Sequence, residues 1–274
     1  MNTTVKRTLV GVLFLIVMVG SLLWNSIAFI AVFAFIMLEM MWEFFRMTIG
    51  RKHMAVQYAA LAVAAGAFVL GLGVARGMFA PAMLALNLVS LVLLMVVMVL
   101  DHLDFKDYSY IFTALLYIAL PVSLSHFVVN PGGVFDGRLM LSFLIVIWAS
   151  DTGAYCFGML LGQKVWPAKL CPEISPKKSW AGAIGGLVAS LLAAYILHLV
   201  GWLPFPLVHV LVSAAVMNVL GVFGDLFESL WKRQFGIKDS GNIMPGHGGL
   251  LDRFDSALFA IPAGYVYLII MGLV

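Results

Sequence analysis

Apolar runs of about twenty residues recur from one end of this chain to the other, and they decide what it can fold into. A helix crossing a bilayer needs about 20 mainly apolar residues, because lipid offers no partner to an unsatisfied backbone N–H or C=O. Hydropathy marks nine such runs, at about 8–24, 27–45, 55–75, 79–100, 108–129, 139–162, 179–200, 205–225 and 255–273. The chain is 63% hydrophobic and only 11% charged, whereas soluble domains run near 25% charged. An ordinary soluble domain is excluded. The expected fold is all-α, a polytopic transmembrane helical bundle of about nine spans. The first run follows Lys6-Arg7, as that of a signal peptide would. No small-residue cleavage site clearly closes it and a second run follows at once, so it reads as a retained span.

Charge sets the orientation. With a cytoplasmic N-terminus, the inside segments hold Lys6, Arg7, Arg46, Arg51, Lys52, Lys106, Lys164, Lys169, Lys177, Lys178, Lys232, Arg233, Lys238 and Arg253. Only Arg76 and Arg138 fall outside, so 14 of the 16 basic residues face the cytoplasm, as the positive-inside rule asks. The long polar segments 163–178 and 226–254 then share the nucleotide-containing compartment. A net charge of +3, scattered along the chain, gives no footprint for nucleic acid. Cys156 and Cys171 have neither metal-ligand spacing nor the makings of a disulfide framework. No repeat or separate soluble domain is visible. Small residues between Ala64 and Gly77 would suit helix contacts between two chains, as in a homodimer.

Polar residues in an apolar chain carry the chemistry. Asp151, in IVIWASDTGAYCFGMLLG, falls near the middle of the sixth run, where a carboxylate costs about 2.5–3.5 kcal/mol and usually faces a polar cavity. Its small neighbours (Ala149, Ser150, Thr152, Gly153, Ala154, Gly158) would allow close helix packing or the approach of a ligand. Glu43 stands three residues before Arg46, which reads as an interfacial ion pair. Asp225 and Glu228 end the eighth run at i,i+3 spacing, and Asp252 and Asp255 open the ninth at the same spacing. Each pair can present oxygens on one helix face. Hard oxygen donors of this kind suit Mg²⁺, which takes one or two carboxylates and fills its shell with water and phosphate.

The 28 residues Ser229–Ser256, SLWKRQFGIKDSGNIMPGHGGLLDRFDS, are the longest polar stretch in the second half. Lys232, Arg233 and Lys238 would offset negative charge there. Gly246, Gly248 and Gly249 permit turns whose N–H groups point at an anion. His247 would donate to phosphate or shape the turn. Upstream, Lys177 and Lys178 in SPKKSWAG lie before a helix N-terminus, itself favourable to phosphate.

These residues resemble the phosphatidate cytidylyltransferase (CDP-diacylglycerol synthase) family. The family's signature falls in register on Ser229, Lys232-Arg233, Lys238-Asp239, Pro245, His247-Gly248-Gly249, Asp252-Arg253 and Asp255. SDTGAY at 150–155 and SPKKSWAG at 175–182 are similar to family segments too. Trp231 and Met244 replace smaller aliphatic residues, and Ala181 stands where many members carry Glu or Gln. The resemblance implies N-terminal spans over 1–138 and a catalytic region over 139–274 with the loops 163–178 and 226–254. It implies transfer of the cytidylyl group of CTP to phosphatidic acid, giving CDP-diacylglycerol and pyrophosphate. It also implies Mg²⁺, with room for a second, monovalent cation. On this reading Asp225, Asp252 and Asp255 hold the metal, with His247 in the same catalytic set. Lys232, Arg233, Lys238 and Arg253 hold CTP or pyrophosphate, and Asp239, Gly248 and Gly249 complete the nucleotide loop. Ser175, Lys177 and Lys178 hold lipid phosphate, and Asp151 lies deeper. The setting is the cytoplasmic membrane, with the site facing inward. Two rivals are a CTP-dependent polyprenol kinase and an ion-coupled transporter using Asp151 and Asp225.

Overall fold

The computed structural model describes residues 3–162 and 165–274, so Lys164, counted above among the inward-facing cations, lies outside the described residues. Ten α-helices account for most of it: α1 (Thr3–Leu23), α2 (Ser26–Thr48), α3 (Met54–Ala75), α4 (Leu86–Leu100), α5 (Phe105–Ala114), α6 (Leu120–Val129), α7 (Arg138–Leu160), α8 (Trp180–Leu199), α9 (Leu207–Gln234) and α10 (Leu251–Ile270). Among the described residues eight helical stretches are long and apolar enough to cross a membrane, and Arg7–Leu23 is a shorter apolar helix. These correspond to the nine runs. The all-α expectation misses one small element: β1 (Lys169–Cys171) pairs antiparallel with β2 (Ser175–Ser179).

The chain forms two compact units, one of residues 1–137 with 239–253 and the other of 138–238 with 254–274. In the first unit, α2 starts where the Asn25 side chain accepts from Ala28 N at 2.9 Å, one of the donors a helix N-terminus leaves unpaired. Phe29, Met37, Met40, Met41, Phe44 and Phe45 of α2 are fully buried and form its core. The fifth run is one helical stretch with a defect in it. Pro121 has no N–H to give, and at this point the ladder slips to a π turn over Leu115–Ala119, with Leu120 N bonded to Leu115 O. The α2–α3 and α4–α5 connections are clamped by His53 Nδ1 on Asp101 Oδ2 at 2.6 Å.

In the second unit α7 and α8 pack closely because small residues face each other. Gly153 lies against Gly185 and Ala189, and Gly158 against Gly182. Asn218 of α9 donates to Ser150 Oγ of α7 at 2.6 Å, a buried polar tie between apolar helices. Ser179 ends β2 and caps α8, its Oγ accepting from Gly182 N at 3.1 Å. The eighth run was expected to end at 225, but α9 continues to Gln234. Asp225 and Glu228 stand on this helix as expected, and Lys232 and Arg233, expected in the loop, stand on it too. Leu-Phe-Glu-Ser-Leu-Trp-Lys-Arg-Gln is made largely of good helix formers, and the Lys232 ammonium pairs with Glu228 one turn away.

Candidate active site

Between α7, α8, α9 and the β1–β2 hairpin, the second unit holds a cavity of about 210 Å³. That is below the roughly 300–1,000 Å³ of pockets that take a whole drug-sized ligand. It suits a phosphate group and the atoms around it. Small residues (Ala154, Gly158, Gly182, Gly221) open the space, while Lys177, Lys178, Asp151, Asp225, Ser150 and Asn218 supply its polar wall.

The polar wall is an organised set of charges. Lys178 Nζ lies 2.7 Å from Asp225 Oδ2, so a cation on β2 meets a carboxylate on α9. The Lys178 nitrogen itself is buried, while the Asp225 side chain is 36% exposed and is the more open member of the pair. Ser229, one turn on, donates its hydroxyl to Asp225 Oδ1 at 3.3 Å. Asp255 of α10 carries the field of Asp225, Asp151 and Lys232, and its Oδ1 accepts from Ser256 N at 2.7 Å. Asp151 is exposed along the cavity, as its mid-span position required. Lys177 is exposed beside Lys178, and Ser175 is half-buried at the start of β2. Arg233 reaches back to the hairpin, its Nε donating to Ile174 O at 3.4 Å. Lys238 is exposed beyond the end of α9.

The residues 239–251 belong to the other unit, and their geometry corrects part of the sequence reading. Met244-Pro245-Gly246-His247 closes as a turn, with His247 N bonded to Met244 O at 2.8 Å. Pro at its second position and Gly246 at φ 82° at its third are what a type II turn requires. Gly248 also has positive φ, 86°. The amides that follow were expected to face a phosphate. They face protein carboxylates. Gly249 N donates to Asp252 Oδ2 at 2.8 Å, and Leu250 N and Leu251 N donate to Glu43 at 3.0 and 2.9 Å. Asp252 Oδ2, placed in the metal set, also accepts from Ser240 N at 2.9 Å and Ser240 Oγ at 3.1 Å. Asp239 and Arg253 are exposed at the two ends of this segment, and His247 is half-buried against Gly11 of α1. Glu43 was read as the partner of Arg46. It is buried at 4% exposure and turned to the loop, while Arg46 is exposed.

Among the described residues no group of three or more His, Cys, Asp or Glu side chains is gathered in ligand geometry. The donor chemistry nevertheless fits a hard divalent cation. Asp225 and Asp255 offer carboxylate oxygens within electrostatic reach of each other, and Mg²⁺ needs only one or two such ligands beside water and substrate oxygens. Sequence reasoning missed Ser150 as a wall residue, Asn218 and the Glu43 anchor. Asn218 had a visible signal, a lone amide inside the apolar AVMNVLGVF. Glu43 had none that reached the loop, which lies about two hundred positions away in the sequence.

The chain is similar to known proteins. A family profile described as the cytidylyltransferase family matches residues 5–271. A Bacillus subtilis protein named phosphatidate cytidylyltransferase is 40% identical over 187 residues, 68% of this chain and 67% of that one. Proteins of the same name from Staphylococcus saprophyticus and Staphylococcus aureus are 44% and 46% identical over 131 and 133 residues. Those matches cover 48% of this chain and about half of each relative, 48% in both cases. A match running through all ten helices, with relatives well above 30% identity, places the chain: it belongs to the cytidylyltransferase family.

Proposed function

We propose that this chain transfers the cytidylyl group of CTP to phosphatidic acid, giving CDP-diacylglycerol and pyrophosphate. The family and the names of its relatives supply the reaction. The Lys178–Asp225 pair on the wall of a membrane-protein cavity is the observation that best supports a place for it. A phosphate oxygen of the lipid attacks the α-phosphorus of CTP. The bond from that phosphorus to the bridging oxygen of the β-phosphate breaks, and pyrophosphate leaves with the electron pair. The lipid phosphate is already an oxyanion near neutral pH, so the step needs no strong protein base. Positioning and charge neutralisation carry such transfers.

The residues divide that work. Lys177 and Lys178, on the strand beside the cavity, hold phosphate. Lys232, Arg233, Lys238 and Arg253 offset charge on CTP and pyrophosphate. Asp225 and Asp255 are the donors for Mg²⁺, while Asp252, expected with them, is engaged by the turn amides. When bound, that ion would neutralise charge on the nucleotide phosphates. The basic residues on the inward side of the runs favour a cytoplasmic-membrane setting with the site open to cytosolic CTP.

The test is the fate of the α-phosphate. Purified protein in detergent receives α-³²P-labelled CTP, phosphatidic acid and Mg²⁺. Label should move into a lipid-extractable product and stay in water when Mg²⁺ is chelated. Label found only in CDP would replace this reading with the polyprenol-kinase one. No turnover with any lipid acceptor would favour the transporter.

A further inference from the structure

Glu43 lies near the end of α2, far in sequence from every motif residue, yet its carboxylate is the acceptor for the amides that directly follow the Pro-Gly-His-Gly-Gly turn. One oxygen accepts from Leu250 N at 3.0 Å, and the other from Leu251 N at 2.9 Å and from Ser240 Oγ at 3.1 Å. Glycine is required on both sides of it. A Cβ on Gly241 or Gly249 would run into the Glu43 carboxylate. The amides it engages are the orphan donors at the N-terminus of α10, where unpaired N–H groups and the helix dipole favour an anion. Asp252 fills the rest of the same nest through Ser240 N and Gly249 N. Ser240 Oγ sits 3.1 Å from both acids, and its one proton serves only one of them at a time. The backbone amides therefore carry most of the tie.

We infer that Glu43 is a positioning residue for the transfer reaction, a built-in anion that fixes the 240–251 turn and the start of α10. The inference rests on the proposed function, in which the motif residues of that turn and helix serve CTP. A buried carboxylate is costly and is kept only where its hydrogen bonds are filled. Here they are filled by the signature turn. Asp252 and Arg253 follow directly, in the first turn of α10, so the carboxylate that pins residues 250 and 251 also sets their rotation about the helix axis.

The experiment compares Glu43→Gln, Glu43→Asp and Ser240→Ala with Glu39→Gln, one turn earlier on α2, as control. For each, kcat and KM are measured for CTP and for phosphatidic acid, and hydrogen exchange is followed at 240–251. Gln places an NH₂ where an amide donor now points. We expect Glu43→Gln to lower kcat/KM for CTP by about tenfold or more while KM for phosphatidic acid stays within about twofold. Glu43→Asp should recover part of the loss, and Ser240→Ala should lose only a few-fold. Exchange at Leu250 and Leu251 should quicken by about tenfold in Glu43→Gln, with α3 unchanged. Wild-type kinetics in Glu43→Gln alongside faster exchange would make the tie structural only and overturn the inference. Unchanged exchange would overturn it as well. Absence of label transfer in the wild-type protein would instead remove the parent reading, and this one with it. If Glu43→Gln fails to fold, Glu43→Asp and Ser240→Ala decide. Wild-type kinetics in both would then overturn the inference.

Discussion

Two groups of acids in this chain sit in opposite conditions. In the second unit, Asp225 is 36% exposed, faces Lys178 at 2.7 Å and opens on a cavity. In the first, Glu43 is 4% exposed and its oxygens face backbone N–H groups and a serine hydroxyl. The cavity acids share the field of their neighbours and leave room for a ligand. The turn acids already have the partners that a phosphate would have had. The comparison separates groups that meet the substrate from groups that shape the protein around it, although the sequence writes both simply as acids near the ends of apolar runs.

The largest effect that can break this contrast is at Asp225. Asp225→Asn should lower kcat/KM by about 100-fold or more, since removing one group that stabilises transition-state charge costs about 10²–10³. Its elution volume and thermal midpoint should stay near wild type. Lys178→Met comes next. A loss of about 10- to 100-fold, expressed largely in KM for the anionic substrate, is expected from steady-state kinetics. Gly249→Ala addresses the other side. Its methyl group would enter the space of Ser240 and Glu43, so we expect about 1–3 kcal/mol of destabilisation in detergent unfolding, with activity falling in step. Gly246→Ala is the mildest. At φ 82° an L side chain costs about 1–2 kcal/mol, read as a small fall in unfolding midpoint. If Gly246→Ala were as damaging to turnover as Asp225→Asn, the contrast would be gone.

Much of this was legible in the sequence. The apolar runs located the helices because hydropathy reports the bilayer directly, and Asp151 announced a cavity by standing in the middle of one. Hydropathy stops where the hydrocarbon stops, however, so it ended α9 at 225 when the helix runs to 234. The β1–β2 hairpin gave little signal, since SPKKS has no apolar alternation and contains a proline. Gly246, Gly248 and Gly249 suggested a turn whose amides meet an anion; of the three, Gly249 N meets a protein carboxylate, a partner that depended on tertiary structure. The i,i+3 spacing to Arg46 offered Glu43 a local partner, and the structure gives it a distant one. Local spacing could name the charged set without assigning each member its work.

The most direct measurement is a double-mutant cycle on the cavity pair, reading α-³²P transfer from CTP to phosphatidic acid for wild type, Lys178→Met, Asp225→Asn and the double variant. If cytidylyl transfer takes place where these two side chains meet, each single change removes most of the turnover and the double variant is little worse than the poorer single. Transfer that survives both single changes, or losses that simply multiply in the double variant, would contradict a shared site at the Lys178–Asp225 pair.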